Sequence, residues 1–459
     1  MNVIAAIPLL LALGQAEAKP AAPKAAAVTA AQPGAQLTLD AALARAVEAN
    51  TDLAAARAKL QQARQGVWKA WSGYLPQVSL SGAYTRNAEE IRLPIPVGYA
   101  VTVDPITHAG STGAPTSVID ATIQPQTQTA GQLQANQALF VPMLWGMIRA
   151  ATHGAHAAEQ GVEAARREIL FGISQLFYGT ASLRKVADVQ QRLLETARKH
   201  EKDADVRYRA GTIPKVGLLR AQIERAKAEQ DLLRSRNGYE SIRLALATAL
   251  GRDADFEVVE PGEPVLPNDL AALEEQSLRD RPDVKAAREA EAAARAARWG
   301  TSGKYLPSLG VFGRYLYSDP PGLTGATKTW AVGLGLNWNI LDGGLREAEL
   351  REAGAKIAEA EANRRGAELR ARLEVKQAAL DLQSAKANAQ KASEQRDLAR
   401  ENQRLIDVSY AAGAATALEQ ADAQTALSGA EVAAETEALN AKLAALRLLK
   451  SAGAYDPVK

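Results

Sequence analysis

The chain has 459 residues, with 54 Lys and Arg against 52 Asp and Glu, and aromatics make up only 5% of it. That length suits one large or two ordinary domains, and the low aromatic content suits long helices packed through Ala and Leu. A net charge of +2 gives no clustered basic face for nucleic acid, and the absence of cysteine excludes disulfides, thiolate catalysis, Cys-ligated zinc and a lipidated cysteine.

Residues 1–18 read as an export signal. Ile4–Leu13 is apolar but too short to span a bilayer as a helix, and Ala16-Glu17-Ala18 offers a small-x-small cleavage site. Residues 19–36, rich in Ala and Pro, read as a flexible tether. No run of eighteen apolar residues follows, so a membrane crossing would need β-strands.

Residues 37–250 read as helix, strand, loop, strand and long helical hairpin. The first helix covers roughly 38–73. After Pro76 the helical period gives way to alternation of Val78, Leu80, Gly82 and Tyr84 with Gln77, Ser79, Ser81 and Ala83, which predicts a strand over 76–86. Residues 87–125, rich in Gly, Pro and Thr, are expected to form a structureless exposed loop. A second strand follows at 126–141, then a helical hairpin over 143–250. Val162, Ile169, Leu176 and Leu183 recur every seven residues, the seam of a coiled coil. Residues 251–269, with Pro261, Pro264 and Pro267, read as a connector.

Residues 270–454 repeat that order: a helix, strands at 307–318 and 328–341, and a hairpin over 345–452, with a tail at 455–459. Each long helix, at about 1.5 Å per residue, would measure roughly 90 Å. Leu350/Ile357, Leu373/Leu380 and Leu398/Leu405 keep the seven-residue spacing. Shifting the chain by 231 residues lays Asp52 on Asp283, Trp68 on Trp299 and Tyr74-Leu75-Pro76 on Tyr305-Leu306-Pro307. This reads as internal duplication. In the last strand Trp330, Val332, Leu334, Leu336, Trp338 and Ile340 form an apolar face opposite small and polar residues. That is the dyad pattern of a transmembrane β-barrel, with Tyr84, Tyr315, Tyr317, Trp330 and Trp338 as interface aromatics. Four strands cannot close a barrel, and an open edge in lipid is not viable, so the barrel must be shared between chains. The fold expected is an α+β membrane protein. The alternative, a soluble periplasmic coiled-coil adaptor or scaffold, leaves the four strands without a task.

Enzymatic signatures are missing: no G-x-S-x-G, P-loop or dinucleotide fingerprint occurs. Of the four histidines, His153 and His156 share a helix face, but no acidic ligand lies at a diagnostic spacing, so they read as surface residues. Neither an enzyme, a cofactor nor a bound metal is expected.

The duplicated Tyr-Leu-Pro strand start, the strand exit Leu341–Arg346 with Gly343 and Gly344, and the duplicated Tyr-x-x-Gly turns (Tyr208–Gly211, Tyr410–Gly413) resemble TolC-like outer-membrane efflux proteins. The resemblance runs from about residue 37 to 454. It implies a homotrimer in the Gram-negative outer membrane. Four strands from each chain would form one twelve-stranded barrel in outer-membrane lipid, continued by a helical barrel across the periplasm. It further implies a passive exit duct for a tripartite efflux pump or type I secretion, engaged by a periplasmic adaptor (membrane fusion) protein and an inner-membrane transporter. The helix turns would form the periplasmic entrance, with Glu419 and Asp422 ringing its narrowest part. Three copies would focus cations on six carboxylates. Ala415 replaces the basic residue that the family uses between subunits, and Gly217 replaces the equivalent acid of the first half. Arg220 stands where the second half has Asp422 and is expected to pair with a carboxylate.

Overall fold

The structure, a computed structural model, describes residues 35–103, 105–107, 110–266, 269–321 and 325–456. The expected export signal and nearly all of the tether lie outside the described residues. In chain order the elements are β1 (Ala35–Leu37), α1 (Leu39–Ala49), α2 (Thr51–Trp71), β2 (Gln77–Arg86), β3 (Ile91–Val103), β4 (Gly110–Gln124), β5 (Thr127–Phe140), α3 (Pro142–Arg209) and α4 (Lys215–Ala249). Then come β6 (Phe256–Val258), α5 (Leu270–Asp280), α6 (Pro282–Ser302), β7 (Ser308–Asp319), β8 (Lys328–Asn337), α7 (Leu345–Ala411) and α8 (Ala417–Ser451). The chain divides into two units, one from residues 1–53, 166–273 and 375–459, the other from 54–165 and 274–374.

The first unit is helical around a small apolar core. Leu43, Leu170, Phe177, Leu246 and Leu250 are fully buried there, with Phe256 beside them. β1 pairs in parallel with β6, so the end of the expected tether and part of the expected connector form a ladder. The expected tail is not loose at its start: Tyr455 is buried in this core, and Asp456 pairs with Arg166 at 3.0 Å. On α3 the buried stripe is Leu170, Ile173 and Phe177, while Ile169, Leu176 and Leu183 are only half-buried. The core therefore lies one residue round from the heptad seam. Small buried Ser174 and Thr180 flank Phe177 and let neighbours approach that face. On α7 the core takes Val375, Ala378 and Leu382, whereas Leu373, Leu380, Leu398 and Leu405 remain exposed.

The expected single helix over 38–73 is two helices. Asn50 has extended backbone angles, and its Oδ1 accepts from Asp52 N (2.9 Å) and Leu53 N (3.2 Å). Its short amide ends α1 and caps α2, as Asn does at helix N-termini.

In the second unit β2, β5, β7 and β8 form one antiparallel sheet in the order β2-β5-β7-β8. The register aligns Leu80, Leu133, Tyr315 and Trp330 in one row across all the strands. That face is apolar and exposed; Leu80 is 80% accessible and Leu334 70%. The opposite face is polar. Along β5, Gln132 donates to Gln134 at 3.0 Å and Gln134 to Asn136 at 3.2 Å. β8 stops at Asn337, short of the expected 341, because its partner β7 begins after Pro307 and Ser308↔Asn337 is the last pair.

The 87–125 segment is not structureless. β3 and β4 pair as a separate antiparallel ribbon from Ile91↔Gln124 to Val103↔Gly110. Its Ile, Val and Thr residues favour strand, and a two-stranded ribbon has free edges where Pro94 and Pro96 forgo a donor at little cost. Asn87 closes the base, donating from its backbone to Gln126 O and from Nδ2 to Pro125 O, both at 2.8 Å.

Beneath the sheet's helix-side ends, α3 and α6 touch backbone to backbone. A Cβ on Gly146 would lie 2.2 Å from Gly300 Cα, and one on Gly303 would lie 2.6 Å from Met143 N. Trp145 stacks on Trp299 at 6.2 Å beside this contact. Gly146→Ala is therefore expected to destabilise the protein by about 1–3 kcal/mol through overpacking. Gly172→Ala, in the same helix with open space around the new methyl, should instead stabilise it by up to about 1 kcal/mol. Thermal unfolding of the two variants checks the sign; shifts in the same direction would contradict the close α3–α6 contact.

Candidate functional site

Proline fixes both switches from helix to strand. Pro76 and Pro307 directly precede β2 and β7. Each lacks an N–H and steers its predecessor to extended backbone, as at Leu306 with φ −96° and ψ 150°. The tyrosine two positions earlier then clamps each junction. Tyr74 donates its hydroxyl to Val141 O at 2.9 Å, and its own carbonyl accepts from Gln137. Tyr305 donates to Glu347 Oε1 at 3.0 Å, and the Arg346 guanidinium lies 4.7 Å from its ring centre.

The exit from β8 closes on itself. Gly343 (φ 68°) and Gly344 (φ 88°) occupy left-handed backbone that other residues rarely adopt. Asp342 accepts from Arg346 N at 3.3 Å and pairs with its guanidinium at 2.9 Å, while the same side chain donates to Ile340 O at 2.8 Å. The Asp-Gly-Gly-x-Arg run is thus one turn that starts α7.

The aromatic side chains sort to the sheet's ends. Tyr84, Tyr315, Tyr317 and Trp330 lie toward the hairpin end, and Tyr315 pairs across to Trp330. Trp338, at the other end, donates Nε1–H to Tyr305 O at 3.2 Å. At about 3.4 Å per extended residue, Trp330 and Trp338, which lies just past the end of β8, stand at most roughly 27 Å apart along the chain, or about 20 Å of height at the tilt of barrel strands, a span that fits within an outer-membrane apolar band.

The helix turns belong to the first unit. Gly211 (φ 73°) and Gly413 (φ 74°) end α3 and α7 in left-handed conformation. Thr212 N donates to Arg207 O at 2.9 Å and Ala414 N to Ser409 O at 2.8 Å, so both helices end in the same glycine-based cap. Arg207 of one turn lies 4.6 Å from the ring centre of Tyr410 of the other, while Tyr208 is exposed.

Glu419 and Asp422 have different surroundings. Glu419 completes a capping box: its Oε2 accepts from Thr416 N at 2.7 Å, and Thr416 Oγ1 accepts from Glu419 N at 3.2 Å. The backbone N–H of Thr416, then its hydroxyl, hold the Glu419 carboxyl below its usual range. Asp422 is exposed, and its charge acts on Glu224 of α4. Burial first and Asp422 second push Glu224 above the usual carboxylate range, while Arg220 and Lys227 oppose them. Arg220 therefore bears on a carboxylate through its charge.

Residues 42–252 and 273–454 match the outer membrane efflux proteins. The chain belongs to that family. A nodulation protein T of Rhizobium leguminosarum bv. trifolii is 22% identical over 428 residues, spanning 90% of this chain and 85% of the relative. Among solved structures, the outer membrane protein VceC of Vibrio cholerae aligns with TM-score 0.72 and 20% identity, covering 90% of this chain and 96% of its own. A membrane protein from Pseudomonas aeruginosa aligns with TM-score 0.74 and 20% identity, covering 92% and 91%. This outer membrane efflux protein is a Gram-negative outer-membrane protein, not an enzyme.

Several polar residues near the efflux protein's turns carry no motif and escaped the sequence reading. Asp407 of α7 accepts from Gln403 (2.9 Å) and from Gln420 of α8 (2.8 Å). His200 of α3 is pushed below its usual value by burial, against the pull of Asp407 and Asp203. Glu224 was the most legible of these: it lies two residues past Gln222, where the two turn sequences align. Ala415 and Gly217 offer only backbone N–H groups, to Ser409 O at 3.2 Å and Pro214 O at 2.9 Å.

Thr416→Ala should cost about 1 kcal/mol in the first turn of α8 and speed hydrogen exchange of the Glu419 amide, with amides beyond residue 430 unchanged. An unchanged Glu419 amide would exclude the capping box. For Glu224 the raised folded pKa means stability is full below the ordinary value of 4.5 and is lost as pH rises through the raised value. Glu224→Gln should remove that loss. His200 works in the opposite sense, its stability full above 6.5 and lost as pH falls through its lowered folded value, so the comparison is the difference between wild type and variant melting curves over about pH 4 to 7.

Proposed function

We propose that three copies of this chain form a passive exit duct through the outer membrane, serving a tripartite efflux pump or a type I secretion system. The observation that carries this reading is the four-stranded sheet: its apolar face is exposed, and β2 and β8 each have a strand neighbour on one side only. Beside lipid, each unpaired backbone group costs several kcal/mol, so two open edges cost on the order of tens of kcal/mol. Pairing β8 of one chain with β2 of the next removes that cost, and three chains give twelve strands. The exposed Leu373, Leu380, Leu398 and Leu405 row on α7 supports the same assembly, since each leucine buried between chains contributes about 2 kcal/mol.

In this reading the two halves are a duplication of one unit, with residues 37–250 and 270–454 as its copies. The helix turns form the periplasmic entrance, and a periplasmic adaptor engages them to open the duct toward an inner-membrane transporter. Glu419, Asp422 and the newly found Glu224 supply its acidic lining. Glu419 holds its charge because its own helix stabilises the carboxylate, whereas Glu224 takes up protons more readily. Arg220 offsets part of the negative field.

Single-channel recording in planar bilayers tests this. Wild type should show discrete, cation-selective openings. Asp422→Ala/Glu224→Gln should weaken the selectivity, and Arg220→Ala should strengthen it. Openings with unaltered selectivity in both variants would remove these residues from the entrance; no insertion by a folded, detergent-stable trimer would overturn the duct itself.

A further inference from the structure

We propose that His153, His156 and Glu289 bind one divalent transition-metal cation of borderline softness, such as zinc. His153 and His156 stand one turn apart on α3, and Glu289 reaches them from α6. His153 Nδ1 lies 2.8 Å from Glu289 Oε2, and His156 Nδ1 lies 3.7 Å from the same oxygen. One ligand atom from each residue falls within 4.8 Å of the others. A tetrahedral ion with bonds of about 2.0–2.1 Å needs donors roughly 3.3 Å apart, which lies between the two spacings to the carboxylate. Two imidazoles and one carboxylate form a donor set suited to zinc, with the fourth position left for water.

A hydrogen bond between helices would need only one histidine. Here the second also turns its Nδ1 toward the same carboxylate oxygen, with the imidazole planes crossed at 88°. The platform is stiff. The same two helices meet without side chains at Gly146 and Gly300, and Trp299 is held between Trp145 and the Arg149 guanidinium 5.2 Å from its ring centre. Ligands projecting from packed helices keep their geometry better than ligands on loops. His156 is exposed while His153 and Glu289 are half-buried, so an ion can reach the site from solvent. Bound there, it would cross-link α3 to α6. The expectation that these histidines were unremarkable surface residues looked for an acid nearby in sequence; the acid lies 136 residues from His153.

The test is a cobalt(II) titration of tag-free, detergent-purified full-length protein, followed by visible absorption and by displacement with zinc(II). One cobalt per chain, with the intense bands of tetrahedral coordination bleached by zinc, is the expected result. His156→Ala and Glu289→Gln should each weaken binding at least tenfold. The first leaves the His153–Glu289 hydrogen bond in place and so keeps the helix contact. Absence of a saturable signal in wild type, or wild-type affinity in both variants, would overturn the proposal. Conductance is a separate readout, so failure here leaves the duct untouched.

Discussion

The backbone hydrogen bonds at the two edges of the β2-β5-β7-β8 sheet govern the rest of this protein. Inside the sheet every strand is paired, but β2 and β8 have a partner on one side only. Leu80, Val332 and Leu334 stand on an exposed face, and on the proposed reading that face meets lipid, where water cannot satisfy the remaining N–H and C=O groups. Self-closure is impossible with so few strands. On the proposed reading the chain therefore cannot be a working unit alone, and its helices must present surfaces that neighbouring copies cover.

The packing of those helices fits this demand. Their own cores mix leucine and alanine: Val375, Ala378, Leu382 and Ala444 in one cluster, Leu43, Leu170, Phe177 and Leu246 in another. On α7, Leu382 is buried, but Leu373, Leu380, Leu398 and Leu405 stay outside. A leucine covered by a neighbour contributes about 2 kcal/mol, so on the proposed reading this exposed row serves association. Close approach within the chain is instead bought by glycine, at Gly146 and Gly300, where backbone meets backbone.

Much of the architecture was legible in the sequence because its signals are local. A proline past the first turn removes a backbone donor and steers its predecessor to extended backbone, so Pro76 and Pro307 mark the switch to strand without any knowledge of neighbours. Alternation along Trp330–Leu336 gave the exposed apolar face, since a strand's side-chain period is fixed. What was missed depended on contacts distant in sequence or on local competition. The β3-β4 ribbon was hidden by Gly and Pro, which weigh against strand but are tolerated in an isolated pair. Asn50 looked like one polar residue in a long helix, yet its side chain competes with the backbone and splits that helix in two. The heptad seam on α3 was displaced by one position, because periodicity does not say which neighbour offers the small residues.

At the helix turns, burial and hydrogen bonding set the character of the acids, and sequence spacing does not. Glu419 and Asp422 lie three residues apart and read as an equivalent pair. Glu419 is instead tied to the backbone of Thr416, which stabilises its charge and makes it part of the helix start. Asp422 stays exposed and spends its field on Glu224, a residue half-buried on the neighbouring helix. Two carboxylates facing each other across a helix contact resist sharing full charge, so a proton taken up by Glu224 favours the packed arrangement, while its loss favours separation. If α4 and α8 part when an adaptor engages, the work of parting them is least where Glu224 is ionised. On the proposed reading, the acids that line the entrance would then also set how readily the turns open.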